Sequence, residues 1–110
     1  MTSSFLPFGI FSSDSKHSLD DVLKKFQKAQ GTLTNDGWIC KGTLNLSDLD
    51  LIILPTIVSV DESFSCKNNQ LTSLVGCPSS VGRDFYCNNN QLPKNKTVTQ
   101  LREEARRPSK

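Results

Sequence analysis

Four cysteines and one histidine are the side chains here best suited to metal or nucleophile chemistry: Cys40, Cys66, Cys77, Cys87 and His17. Zinc sites draw on ligand pairs a few residues apart. This chain has no C-x-x-C, and His17 stands well before the first thiol, so no metal is expected. Disulfides need an oxidising compartment. The N-terminal apolar run lacks a cationic start and is broken by Pro7 and Gly9, which does not read as a secretory signal. Cys66 and Cys87 are therefore expected to serve as small core hydrophobes. Asp48-x-Asp50 reads as loop or strand exterior, and no nucleophile motif or glycine-rich phosphate loop is present. The sequence points away from an enzyme and implies no cofactor.

The cysteines belong to a repeat that explains them better. Leu44-x-Leu46-x-x-Leu49-x-Leu51 is followed by Phe64-x-Cys66-x-x-Asn69-x-Leu71 and Phe85-x-Cys87-x-x-Asn90-x-Leu92, in steps of 20 and 21 residues. An L-x-L-x-x-N-x-L core at a period of about 20–29 residues is the mark of a leucine-rich repeat. In L-x-L both apolar residues face one side of a short strand. One copy cannot bury that pair alone, so copies are expected to pair in parallel, with Leu44, Phe64 and Phe85 in one column and Leu46, Cys66 and Cys87 in the next. Asn69 and Asn90 are expected to turn inward and bond backbone groups at the bend.

The segment from Leu74 to Leu92, with Gly76-x-Pro78-x-x-Val81-Gly82 before Phe85-x-Cys87-x-x-Asn90-x-Leu92, resembles short leucine-rich-like repeats of bacteriophage and bacterial proteins. Those read S-L-x-G-x-P-x-x-V-G-G-x-F-x-C-x-x-N-x-L. The likeness covers residues 37–92, about half of the chain. It departs where Asp61-Glu62 and Arg83 replace glycines, and in the longer segment between Pro55 and Val60. The resemblance implies a short α/β solenoid of about three parallel-stranded rungs and a phage context. It carries no catalytic residues.

Other elements must close such a stack, since open repeat ends need caps. Residues 1–16 form an apolar arm with Phe5, Phe8 and Phe11. It is expected to fold back over the stack, or else to anchor in a partner. Residues 17–31 read as a capping helix: Ser18 as N-cap, Asp20 and Asp21 in the first turn, Leu19, Val22, Leu23, Phe26 and Ala29 on one face, and Gly31 as its end. Thr32–Asp36 reads as a turn-rich connection opening residues 32–92, and Trp38 as a core cap. Residues 93–110 read as a basic C-terminal helix and tail.

The whole chain carries a formal charge of +2, with the excess concentrated in residues 83–110. Nucleic-acid binding through Lys94, Lys96, Arg102, Arg106 and Arg107 is not favoured, because the chain lacks basic–aromatic interleaving. No apolar run reaches membrane-spanning length. The outward columns of the stack are expected to be Thr43, Ser63 and Asp84, then Asn45, Ser65 and Tyr86, then Ser47, Lys67 and Asn88. Tyrosine and arginine are frequent anchors of interfaces. The expected partner-binding residues are Phe5, Phe8, Phe11, Lys67, Arg83, Tyr86 and Arg106. The expected role is a cytoplasmic, non-enzymatic interaction module that binds and inhibits or redirects a host protein. The alternative is a component of a phage particle docking through the apolar arm. The sequence does not specify an oligomeric state.

Overall fold

Phe-x-Cys and Leu-x-Leu bury their apolar pairs only when a second copy lies alongside, and the copies do lie alongside. The structure, a computed structural model, describes residues 10–11 and 16–106, with the backbone alone at 10, 11 and 106. Its elements run β1 (Ile10–Phe11), α1 (Leu19–Lys28), β2 (Gly31–Thr34), β3 (Gly37–Cys40), β4 (Leu44–Asn45), β5 (Leu51–Ile53), β6 (Ile57–Val60), β7 (Phe64–Ser65), β8 (Ser80–Val81), β9 (Phe85–Tyr86) and α2 (Val98–Arg106). Strands β4, β7 and β9 pair in parallel with Leu44 opposite Phe64 and Phe64 opposite Phe85. Each repeat also supplies a strand to a second sheet, in which β3, β6 and β8 run parallel.

The expected solenoid of about three parallel-stranded rungs is nevertheless not the fold. The sheets are mixed: β2 pairs antiparallel with β3, and β1 pairs antiparallel with β5. The molecule measures 35 × 34 × 31 Å, with no long axis of stacking. The repeat strands β4, β7 and β9 are two residues each. They set a local register and leave the larger form to the helices and hairpin outside the repeat. Thr32–Asp36 contributes accordingly. Thr34 and Gly37 close a hairpin around Asn35-Asp36, and the Thr34 hydroxyl donates to the Gly37 carbonyl at 2.7 Å.

Helix α1 starts where its sequence directs. The Ser18 N–H donates to Asp21 Oδ2 at 3.0 Å, one half of the reciprocal cap that spares an orphan donor. Val22, Phe26 and Ala29 are fully buried, whereas Leu19, expected on the same face, is exposed. Phe26 stacks on Trp38 with ring centroids 4.1 Å apart. The helix ends one residue before the expected stop: Gln30 takes the left-handed turn at φ 57°, and Gly31 opens β2. At the other end, Gln100 Oε1 accepts from the Thr97 N–H at 2.8 Å, and the Gln100 N–H donates to Thr97 Oγ1 at 3.1 Å. That capping box starts α2 and carries Leu101 into the core.

Two features tie the repeats together. The bend after each inner pair turns through a left-handed residue, Asp48, Asn68 or Asn89, at φ 61°, 59° and 59°; Asp and Asn tolerate this region better than other side chains. Asn69 then points inward. Its Oδ1 accepts from the N–H groups of Leu49 and Leu51, each at 3.0 Å, and its Nδ2 donates to the carbonyls of Leu46 and Cys66 at 2.8 and 2.9 Å. Asn90 repeats the pattern, accepting from the Leu71 N–H and donating to the Cys66 and Cys87 carbonyls, all at 3.0 Å. Gly76 is required at its bend. At φ 96° it lies 2.7 Å from the Pro55 carbonyl, measured to where a Cβ would stand.

Candidate interaction surface

The outward face of β4, β7 and β9 is shaped by the strand alternation: of the expected outward row, Thr43, Asn45, Lys67, Asp84, Tyr86 and Asn88 are exposed and Ser63 is half-buried, and two serines depart from it. Ser47 and Ser65 are buried and share a hydrogen bond of 2.7 Å between their hydroxyls. Such short side chains lie flush with the backbone. Longer neighbours stand proud of them: Lys67, Arg83 and Tyr86 are exposed, Tyr86 at 47% of its surface. Tyr86 sits opposite Ser65 in the ladder, so Lys67, two residues further along β7's chain, lies diagonal to it. Among the described residues neither Lys67 nor Arg83 has an ion-pair partner. Of the sequence-expected contacts, Tyr86 and Lys67 thus share the ladder face, and Arg83 is exposed in the bend that precedes β9. Phe5 and Phe8 lie outside the described residues. Phe11 is placed by its backbone alone, in β1 against β5, and Arg106 is the last residue of α2, described by backbone only.

Two clefts flank this face. The first, about 470 Å³, lies between α1 and the first repeat, where Lys24, Lys25 and Lys28 face Asn45 and Asp48. Asp21 and His17, 3.5 Å apart, line its mouth. The second, about 430 Å³, runs between β9 and α2 and is lined by Phe85, Tyr86, Leu92, Lys94, Val98 and Leu101 among others. Sequence reasoning missed this second groove. Its signal was present, since the last copy of any repeat must leave one strand edge unpaired. The basic residues nearby are partly committed: Lys96 Nζ meets Glu104 Oε2 at 2.7 Å, and the Arg102 guanidinium lies 4.3 Å over the Phe85 ring.

The four thiols are all buried, and none is joined in a disulfide. Burial pushes the Cys40 thiol from 9.0 up to about 11, with Asp61 adding to the rise. Cys66 is pushed up further by burial and then by Cys87 and Cys77. Burial also raises Cys87, against an opposing pull from Arg102. Reactive cysteines need lowered values, so these three are poor nucleophiles. Among the described residues no cluster of three or more His, Cys, Asp or Glu could hold a metal ion. Among the same residues no helix is long and apolar enough to cross a membrane.

A pH dependence follows from the thiols. A group whose folded pKa exceeds its unfolded value contributes stability below the unfolded value and loses it as pH rises through the folded one. The melting midpoint is expected to fall as pH is raised from about 9 towards 11, the window given by Cys40. Thermal melts of the parent and Cys40→Ala check this: the variant's decline is expected to be shallower, and parallel declines would contradict the assignment.

No family model, no curated protein and no solved structure matches the chain.

Proposed function

We propose that this chain is a small non-enzymatic interaction module, a phage accessory protein that binds a host protein and inhibits or redirects it. The observation that carries this reading is the exposed Tyr86 with Lys67 diagonal to it on the face held by the repeat ladder, and the exposed Arg83 in the bend before β9; among the described residues neither cation has an ion-pair partner. Tyrosine supplies large contact area at low entropic cost, and arginine supplies directed hydrogen bonds; both recur where binding energy concentrates. The phage context rests on the resemblance of residues 37–92 to phage repeats. Binding of this kind is steric and needs no cofactor.

The test is capture of host proteins from bacterial lysate by the full chain and by the double variant Arg83→Ala/Tyr86→Ala, alongside host growth during production of each. The parent is expected to hold a specific host protein and slow growth, and the double variant to lose at least about tenfold in affinity. No captured protein and no growth effect would overturn the reading. A chain found instead as a stoichiometric part of purified virions would replace it with a structural role.

A further inference from the structure

We infer that the groove between β9 and α2 binds an extended segment of a partner protein, which adds to β9 as a further parallel strand; this rests on the interaction-module reading and gives it a mode of contact. The argument comes from the ladder. The N–H groups of Leu44, Leu46 and Asp48 donate to the carbonyls of Ser63, Ser65 and Lys67 at 2.9, 2.8 and 3.2 Å. One repeat on, those of Phe64, Cys66 and Asn68 donate to Asp84, Tyr86 and Asn88 at 2.9, 2.8 and 3.0 Å. The same positions of the third repeat are Phe85, Cys87 and Asn89. Strand alternation points their N–H groups away from β7, and among the described residues none finds an acceptor. All three residues line the groove.

A row of unpaired donors at a sheet edge, beside a helix and above an apolar trough, is the arrangement that strand addition uses. The spacing sets the occupant. Carbonyls from alternate residues of a parallel strand would meet Phe85, Cys87 and Asn89, as each earlier repeat does for its predecessor. The strand's inward side chains would then continue the columns of Phe85 and Cys87 and rest against Val98 and Leu101, which calls for the same apolar-x-apolar pattern the repeats carry. Lys94 lines the groove and is exposed, with no ion-pair partner among the described residues, which favours an acidic residue in the segment. A second copy of this chain fits less well. Its matching row of outward carbonyls lies at β4, against which α1 packs.

The experiment selects random displayed peptides on the folded full chain, then measures the enriched peptides by titration and by amide hydrogen exchange. Enriched peptides are expected to carry apolar-x-apolar with an Asp or Glu, and to slow exchange at the Phe85, Cys87 and Asn89 amides. Lys94→Glu is expected to weaken them about five- to tenfold while leaving the melting midpoint in place. No enrichment, or binding that leaves those three amides unchanged, would overturn the proposal. The two readings separate cleanly. A host protein held through Arg83 and Tyr86 with the three amides unaltered would remove strand addition and leave the module. Peptides that protect those amides would support strand addition even if no host protein is captured.

Discussion

Phe26→Ala is expected to cost about 4 kcal/mol, the largest loss of any single truncation considered, and to lower Tm by roughly 15–25 °C. Phe26 is fully buried and its ring lies flat against Trp38, 4.1 Å between centroids and 14° between planes. Deleting the ring removes that stacking and opens a cavity beneath α1, between the helix and the β2–β3 hairpin. The chain has one tryptophan, so urea unfolding followed by Trp38 emission reads both stability and local packing. A red-shifted native spectrum should accompany the loss. Phe26→Leu, which refills most of the volume, should cost only about 1.5 kcal/mol. A loss below about 1 kcal/mol for the alanine variant would show that α1 does not close the core.

Asn69→Ala comes next, with an expected loss of about 3 kcal/mol. Asn69 is 7% exposed, and its carboxamide bonds two backbone N–H groups and two carbonyls from two repeats at 2.8–3.0 Å. Alanine would strand these buried groups without partners, and each orphan costs about 1–3 kcal/mol before relaxation and water entry. Asn69→Asp keeps the acceptor but sets a carboxylate oxygen against the Leu46 and Cys66 carbonyls, so it should be no milder. Asn90 makes the same kind of contacts at a half-buried site, where water can substitute; Asn90→Ala should cost about 1 kcal/mol. Chemical denaturation of the three variants measures the order directly. Equal losses at positions 69 and 90 would contradict the role given to burial.

These two residues mark what could be read from the sequence. The period of the repeat carried the local register: Leu44, Phe64 and Phe85 align as their spacing requires, and Asn69 turns inward as its place in the pattern requires. The global form was not legible, because it is set outside the repeat. Gly31–Thr34 has little apolar alternation, and its pairing with β3 depends on the turn at Asn35-Asp36; the polar sequence signals that turn but not the strand before it. Ile10–Phe11 joins β5 through backbone pairing, which leaves no side-chain signature. The candidate surface was legible in part. Tyr86 and Lys67 are exposed where alternation puts them and Arg83 is exposed in the bend before β9, whereas Ser47 and Ser65 are buried because a serine is too short to rise above its neighbours. The groove beside β9 depends on where α2 lands, and the thin apolar content of that helix did not show that Leu101 would reach the core.

The central claim is that the chain works by presenting its last repeat to a protein partner. The most direct measurement is amide NMR of the labelled full chain as the captured host protein is titrated in. Broadening or shifts concentrated on residues 83–89 and on Lys67 are the expected result. Perturbation confined to α1 and its lysines, or none at a concentration that saturates the host protein, would contradict it.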